Sequence, residues 1–188
     1  MKSNSKHALK VAAKHKKSRS VGVNIWGNPN SSFNTRSAKP GQHGKNVKRK
    51  KVSSYALHLK EKQKLRFFYG MKEKQFRSFF EKAYKTKKNI SDLFIQKLES
   101  RLDTFIYRAK LASTIFEAKQ LINHRHILVN GKTVSISSYL LKEGDVVKIK
   151  DDMKQSVTFV NAQNLAYREI PGYYEVLEDK SVKFSKAP

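Results

Sequence analysis

The sequence has 188 residues, no cysteine and a formal net charge of +25 at pH 7, and 38% of its residues are hydrophobic. This length suffices for one ordinary domain or for two small ones with modest cores. The absence of cysteine excludes disulfides and thiolate zinc sites. No apolar run of about 18 residues occurs, so no membrane-spanning helix is predicted, and no signal-peptide core follows the basic amino terminus.

Positive charge is concentrated in the first half of the chain. Residues 1–60 contain 15 Lys or Arg and no acid, and residues 1–90 carry +22 from 25 bases and 3 acids. Residues 91–188 carry only +3, from 15 bases and 12 acids. Such a density of like charge is neutralised by a phosphate backbone with release of counterions. The pattern favours a nucleic-acid partner over a solvated lysine-rich tail or an anionic membrane surface.

The first 51 residues are predicted to form a basic arm. Residues 1–19 have few large apolar groups, so we expect them to be extended, or helical only when bound. Residues 21–51 are rich in Gly, Asn, Ser and Pro, which predicts an irregular loop region. Between residues 36 and 45, turn formers mixed with basic side chains allow the backbone to come close to a nucleic-acid strand. A flexible linker is the alternative, although linkers rarely contain Trp26 and Phe33.

Residues 53–84 show helical spacing, and Tyr69-Gly70 predicts a break between a helix at about residues 53–68 and the next one. One apolar stripe on the second helix consists of Phe76, Phe79, Phe80, Ala83 and Tyr84. Such rings can stack on bases, but a stripe at helical spacing is more typical of a core. We therefore interpret the rings as structural and the surrounding basic residues as functional.

Residues 91–150 predict a small α+β unit. Ser91 or Asp92 is expected to cap one helix, whose buried face consists of Leu93, Phe94, Leu98, Leu102, Phe105 and Ile106. Thr114 and Glu117 form a capping-box pattern, in which each side chain satisfies the other residue's free N–H group. This pattern opens a second helix to about Asn123, which leaves Lys119, Gln120 and Asn123 on its outer side.

Short strands are predicted after this second helix. Asn130-Gly131 supplies the positive φ angles of a tight hairpin turn between strands at 126–129 and 132–134. A further strand is expected at 146–149. Residues 156–168 fit either a short helix or a strand, and residues 173–184 resemble a hairpin that follows Pro171-Gly172.

No motif in the sequence indicates catalysis. His124 and His126 are the only closely spaced histidines, and no cysteine or neighbouring carboxylate completes a metal shell. The sequence lacks a Walker-type glycine loop and a Gly-x-Ser-x-Gly elbow. We therefore predict no catalytic residue, no bound metal and no cofactor.

The motifs resemble a known family. Four segments are similar to the small RNA-binding domain named after the fourth protein of the small ribosomal subunit: Arg101-Leu-Asp103, Glu117-Ala-Lys-Gln-Leu121, Val129-Asn-Gly131 and Gly144-Asp-Val-Val-Lys-Ile149. That domain also occurs in pseudouridine synthases, a tyrosyl-tRNA synthetase and a heat-shock protein. The preceding segments resemble the amino-terminal domain of the ribosomal protein family itself: Asn24-Ile-Trp-Gly27, Asn34-Thr-Arg36, Pro40-Gly-Gln-His-Gly44, Ser54-Tyr55, Lys62-Gln-Lys-Leu65, Tyr69-Gly70 and Glu73-Lys-Gln-Phe76.

The resemblance implies a structural protein of the small ribosomal subunit. Members of this family bind a multi-helix junction in the five-prime domain of small-subunit rRNA and act early in subunit assembly. They contact neighbouring ribosomal proteins, lie near the side where mRNA enters, and influence decoding accuracy. The family's frequent cysteine-rich zinc cluster is impossible here, and the chain ends at Pro188, before the family's usual final segment. The Trp26 region is most similar to the alphaproteobacterial and mitochondrial branch, and the preference for Lys over Arg favours an organelle-encoded mitochondrial protein over a bacterial one.

The predicted fold class is α+β, with a basic, mostly helical N-terminal domain and an inserted RNA-binding domain of two helices packed on short antiparallel strands. The predicted divisions are residues 1–51 for the extended arm, 52–90 for the helical part of the first domain, 91–150 for the RNA-binding domain, and 151–188 for a shortened C-terminal segment that returns toward the first domain. A free-standing RNA-binding or ribosome-rescue factor is one alternative, and a fragment of an rRNA-modifying enzyme is another. The second alternative requires a catalytic domain, for which the residues outside 91–150 are too basic and irregular.

The expected RNA contacts, mainly to phosphate and ribose, follow from two considerations. By resemblance, the arm contributes Arg36, Lys39, Gln42, His43 and Lys45, and the inserted domain contributes Arg101, Arg108, Lys119, Gln120, Asn123, His124 and Lys132. By their charge, we add Arg19, Lys48, Arg49, Lys50, Lys51, Arg66, Arg77, Lys110 and Arg125.

Overall fold

The computed structural model describes residues 14–42, 44, 52–86, 89–165, 168–177 and 181–185. These residues form eight α-helices and five β-strands, which confirms the predicted α+β class. The chain divides into two compact units, Met1–Phe68 and Tyr69–Pro188. Among the helices of the described ranges, none is long and apolar enough to cross a membrane.

The described part of the first unit contains three helices: α1 (Lys14–Val21), α2 (Ser32–Thr35) and α3 (Ser54–Phe68). α1 packs against α2 and α3, and Ser18 and Val21 of α1 are buried. The expectation of an extended segment is therefore wrong for residues 14–19, because burial of one side of α1 stabilises a helix that its polar sequence does not favour. The predicted helix at 53–68 is confirmed as α3.

The second unit begins with four helices: α4 (Glu73–Tyr84), α5 (Ile90–Glu99), α6 (Leu102–Arg108) and α7 (Ile115–Asn123). Three strands follow, namely β1 (Ile127–Val129), β2 (Lys132–Thr133) and β3 (Val146–Ile149). After a 3₁₀ turn (Asp151–Met153), the unit ends with α8 (Val157–Gln163), β4 (Tyr174–Val176) and β5 (Val182–Phe184). Within the segment with two possible structures, 156–168, residues 157–163 thus form a helix.

One antiparallel sheet organises the second unit, with the strand order β2-β1-β3-β5-β4. The predicted C-terminal hairpin is confirmed, with Tyr174 opposite Phe184. β5 in turn pairs with β3, where Val147 is opposite Val182. The described strands of the C-terminal segment, which was expected to return to the first domain, therefore extend the sheet of the RNA-binding domain. Phe105 packs against Tyr174 and Phe184 at ring-centroid distances of 4.6 and 6.0 Å, which places aromatic core between α6 and this hairpin.

The single helix predicted from Ser91 to beyond Phe105 is wrong, because Ser100 and Arg101 separate α5 from α6. The backbone N–H of Leu102 donates to the carbonyl of Tyr139 at 2.8 Å, and Ser100 accepts from Leu141 at 2.8 Å. These bonds satisfy groups that a helix interruption leaves free, and their partners lie about 40 residues further along the chain. The predicted cap is also wrong, since α5 begins at Ile90 after Asn89, whose side chain makes no capping bond.

Candidate nucleic-acid interface

In the arm of the first unit, the structure exposes Arg36, Lys39 and Gln42. Arg19 lies partly buried, and its guanidinium donates to the carbonyl oxygens of Ala38 (2.9 Å) and Lys39 (3.3 Å). Arg19 therefore fastens the loop that carries Lys39. Six predicted contact residues lie outside the described residues: His43, Lys45, Lys48, Arg49, Lys50 and Lys51.

Close backbone packing in this loop requires a glycine at position 44. A Cβ atom there would lie only 1.8 Å from the carbonyl oxygen of Lys39. The N–H of Gly44 donates to the carbonyl of Gly41 at 3.2 Å, and Gly41 has a φ of 104°. The two glycines thus fit a tight turn within the arm. The expected close approach of this backbone to a nucleic-acid strand stays a prediction.

The arginines of α3 and α4 have local partners. The Arg66 guanidinium donates to the side-chain oxygen of Gln63 and lies 4.6 Å from the Phe67 ring centroid. Arg77 pairs with Glu81 one turn away at 2.8 Å, and both side chains are exposed. Exposed pairs of this kind exchange readily with solvent and contribute little to stability, so Arg77 is accessible to an anion.

The C-terminal end of α7 presents the largest group of predicted residues. Its N-terminus is fixed by the Thr114 hydroxyl, which accepts from the Glu117 N–H at 3.1 Å, while the Glu117 carboxylate accepts from the Ser113 N–H at 2.7 Å. The capping box is confirmed, except that the carboxylate reaches Ser113 and not Thr114. At the other end four exposed side chains follow one another closely: Gln120, Asn123, His124 and Arg125.

Arg125 owes its position to an unusual backbone conformation. Its φ is 63°, in the left-handed region that terminates many helices. Its N–H donates to the Ile122 carbonyl at 2.9 Å, and the next N–H, of His126, donates to the Leu121 carbonyl at 3.0 Å. These two bonds close the helix and direct the chain into β1, while Arg125 stays exposed.

Lys132 lies on the hairpin that follows. Asn130 and Gly131 have φ angles of 49° and 78°, as the predicted two-residue turn requires. The Asn130 side chain accepts from the Val146 N–H at 2.9 Å and donates to Asp145 at 2.8 Å, which ties the turn to β3. Because β1 has only three residues, about 10 Å separates its two ends. We name the exposed residues Gln120, Asn123, His124, Arg125 and Lys132 the α7–β2 face.

Two predicted contact residues, the buried Arg101 and the partly buried Lys119, bind other parts of the protein. Arg101 is 2% exposed, and its guanidinium donates to both carboxylate oxygens of the fully buried Asp103, at 3.0 and 2.7 Å. The Lys119 ammonium lies 3.5 Å from Asp103 and donates to the Gly70 carbonyl oxygen. Burial lowers the pKa of Lys119, against the opposing effect of Asp103. These cations hold α6, α7 and the Tyr69-Gly70 turn together.

A second buried carboxylate, Glu99, was not singled out from the sequence. It is 2% exposed and accepts from Arg108 at 2.8 Å and from the Tyr69 hydroxyl at 2.6 Å. Burial, together with the negative charge of Glu99, raises the pKa of Tyr69. Arg108 is therefore committed to Glu99, although its side chain remains 31% exposed. The neighbouring Lys110 is half-buried, with a φ of 57° just after α6.

Arg168 was also missed. Its guanidinium donates to the carbonyl oxygens of Tyr107 (2.6 Å), Ala112 (3.3 Å) and Ser113 (2.9 Å) and lies 4.1 Å from the Tyr107 ring centroid. These bonds fix the connection between α6 and α7. No local pattern marks this residue, because its partners lie more than 50 residues earlier in the chain.

The described residues contain no group of three or more metal-ligating side chains. His124 and His126 have ring centroids 6.0 Å apart. What the α7–β2 face offers is a mixture of cations and neutral donors, a composition suited to phosphate, ribose and base edges.

The sequence matches known families along most of its length. Residues 11–99 match the family described as ribosomal protein S4/S9 N-terminal domain, and residues 100–147 match the S4 domain. Small ribosomal subunit protein uS4 of Ehrlichia canis is 42% identical over 181 residues, covering 96% of this chain and 89% of the relative. The chain belongs to the uS4 family. The resemblance read from the motifs is thereby confirmed.

Further uS4 relatives support the assignment. The protein of Rickettsia felis is 48% identical over 164 residues, covering 87% of this chain and 80% of the relative. That of Roseobacter denitrificans is 45% identical over 172 residues, covering 91% and 83%. Proteins of the uS4 family are structural components of the small ribosomal subunit and not enzymes. These relatives are bacterial, so they give no support to the preference for a mitochondrial protein.

Proposed function

We propose that this uS4 protein is a primary rRNA-binding protein that contacts small-subunit rRNA through the α7–β2 face and the basic arm. The observation that carries the proposal is the exposure of Gln120, Asn123, His124, Arg125 and Lys132 around the end of one helix and one hairpin. The capping box, the Asn130 bonds and the Arg168 bonds hold these two elements in place. A preorganised face of this kind suits folded RNA, which is recognised mainly by shape and by 2′-hydroxyl and phosphate contacts.

The two parts of the chain have different roles in this proposal. The first 90 residues carry +22, so they supply most of the salt-dependent affinity. Within them, Arg36, Lys39 and Gln42 are exposed contact residues, while Arg19 fixes their loop. The α7–β2 face carries less charge and determines orientation on the RNA. Arg101 and Lys119 act indirectly, because they hold the helices beneath that face.

The predicted divisions at residues 1–51, 52–90, 91–150 and 151–188 are part of the same proposal, except that α4 belongs to the second unit, which begins at Tyr69, and the C-terminal segment to the sheet of the RNA-binding domain. Support for its finer aspects comes from membership of the uS4 family and from the charge distribution. We propose that the protein binds a junction in the five-prime domain of the rRNA and acts early in subunit assembly. We also propose that it contacts neighbouring ribosomal proteins and lies near the side where mRNA enters, with an influence on decoding accuracy. The preference for Lys over Arg remains the basis for proposing an organelle-encoded mitochondrial location.

Salt-dependent binding tests the proposed face. Replacing Arg125 and Lys132 together by alanine removes two phosphate-seeking cations, so the slope of log affinity against log salt should fall by about 1.4–1.8 for a small-subunit rRNA fragment. The matched control replaces Lys148 and Lys183, which pair with Asp151 (3.7 Å) and Glu175 (3.4 Å). The control should keep the wild-type slope. Equal slopes for all three proteins would remove the α7–β2 face from the interface.

Sedimentation in salt-washed sucrose gradients tests the ribosomal role itself. The protein should run with the small subunit after the wash. A protein that runs free would instead support the alternative of a free-standing RNA-binding or ribosome-rescue factor.

A further inference from the structure

Two aromatic rings on α4 remain at the surface. Phe80 is 46% exposed and Tyr84 is 62% exposed, so the prediction that every ring of the stripe is structural is wrong for these two residues. The helical repeat explains the difference, because Tyr84 lies about 80° around the helix from Phe76, and Phe76 is only 5% exposed. The rest of the unit therefore covers only part of the apolar stripe on α4.

The exposed rings have a defined arrangement. They stack on each other with a centroid distance of 6.2 Å and an angle of 25° between their planes. Phe80 also makes an edge-to-face contact with Phe94, at 5.6 Å and 86°, and Phe94 is buried. The inner ring is thus held in place by Phe94, and Tyr84 is the more exposed ring of the stacked pair.

Charged residues surround these rings. A shallow depression of about 240 Å³ is lined by Phe80, Glu81, Tyr84 and Lys85. Glu81 pairs with Arg77 at 2.8 Å, and Lys82 and Lys85 are exposed. Residues 72–88 contain seven Lys or Arg and two Glu. The local charge is therefore strongly positive.

We propose that Phe80 and Tyr84 form a stacking site for an unpaired RNA nucleotide, with Lys85 beside its phosphate. Sites for single-stranded nucleic acid combine aromatic rings, on which bases stack, with cations that neutralise the backbone. A protein partner fits less well, because the centres of protein interfaces are depleted in Lys and Glu, and both residue types line this depression. This inference rests on the proposed RNA-binding function and adds a site separate from the α7–β2 face.

Binding of a single strand and of a duplex by the full chain tests the proposal. The probes are a fluorescein-labelled oligoadenylate of about 10 nucleotides and a blunt RNA duplex of equal length. Tyr84→Leu removes the ring and keeps an apolar side chain, so it should weaken binding of the oligoadenylate by about 5- to 150-fold. Affinity for the duplex, which offers no unpaired base, should stay unchanged. Tyr84→Phe retains the ring and should bind both probes as the wild type does.

Tyr55→Leu is the matched control, because Tyr55 is 76% exposed on α3 and lies outside the proposed site. It should leave both affinities unchanged. The proposal is overturned if Tyr84→Leu binds oligoadenylate like the wild type, if it loses both probes equally, or if Tyr55→Leu causes the same loss. When the wild type still sediments with the small subunit, such a result refutes the stacking site alone. Failure to sediment with the subunit refutes the proposed function instead.

Discussion

Asp103 is the buried carboxylate that neutralises the buried Arg101. It is fully buried and accepts hydrogen bonds from Arg101, at 3.0 and 2.7 Å, and from the Thr104 N–H at 2.9 Å. In the variant Asp103→Asn the buried guanidinium loses its counterion, which costs about 3–5 kcal/mol in comparable buried pairs. With a urea dependence of about 2 kcal/mol/M, the unfolding midpoint should fall by about 1.5–2.5 M.

Circular dichroism during urea unfolding measures this change. The informative comparison is the double variant Arg101→Met with Asp103→Leu, because it removes the buried guanidinium together with its counterion. It leaves Lys119, but that side chain is 23% exposed and also donates to the Gly70 carbonyl. The double variant should therefore be clearly more stable than Asp103→Asn. Asp92→Asn, at an exposed carboxylate on α5, is the control and should change stability by less than about 0.5 kcal/mol. A double variant as unstable as Asp103→Asn would refute the reasoning, since the loss would then not arise from an uncompensated charge.

Three further predictions concern the second unit. Burial and the nearby Glu99 raise the pKa values of Tyr69, Tyr173 and Tyr174. The folded protein keeps these phenols protonated where the unfolded chain ionises, so stability should fall as pH rises above about 10. Phenolate absorbance should show that Tyr69 and Tyr174, two of the eight tyrosines, ionise only on unfolding. Gly131→Ala should cost about 1–2 kcal/mol in thermal unfolding through its φ of 78° alone, because nothing lies within 4 Å of the added Cβ; a larger loss would point to a steric clash. Arg168→Ala should speed hydrogen exchange at residues 109–114 and lower the free energy of unfolding by about 2 kcal/mol. Arg168→Lys should not restore this loss, since lysine lacks the planar guanidinium that reaches three carbonyls.

Local patterns predicted much of the fold. The helix α3, the capped start of α7, the Asn130-Gly131 turn and the C-terminal hairpin each depend on residues close together in sequence. The break before α6 was not predictable in this way. Its freed backbone groups bond to residues 137–141, and the apolar spacing continues through it as though one helix were present.

In the candidate interface, too, local patterns predicted some features and not others. Outward positions on α7 were read correctly for Gln120 and Asn123, because helical periodicity identifies the side opposite the core. Periodicity gave the same answer for Lys119, yet that side chain turns toward Asp103 and Gly70. A long flexible side chain near the edge of the buried face can point to solvent or toward the core. For Lys119, a carboxylate distant in sequence, that of Asp103, determines the direction.

The sequence by itself determined that the chain is a basic, RNA-binding type of protein and a member of the uS4 family, because charge distribution and local motifs do not depend on how the chain folds. The tertiary structure alone decided which cations are available. Arg101 is internal, Arg108 is bound to Glu99, and Arg125 and Lys132 remain exposed. It also decided that Tyr84 lies at the surface while Phe76 does not. The physical reason is that burial is set by segments that pack together from distant parts of the chain, and a residue's type and spacing do not contain that information.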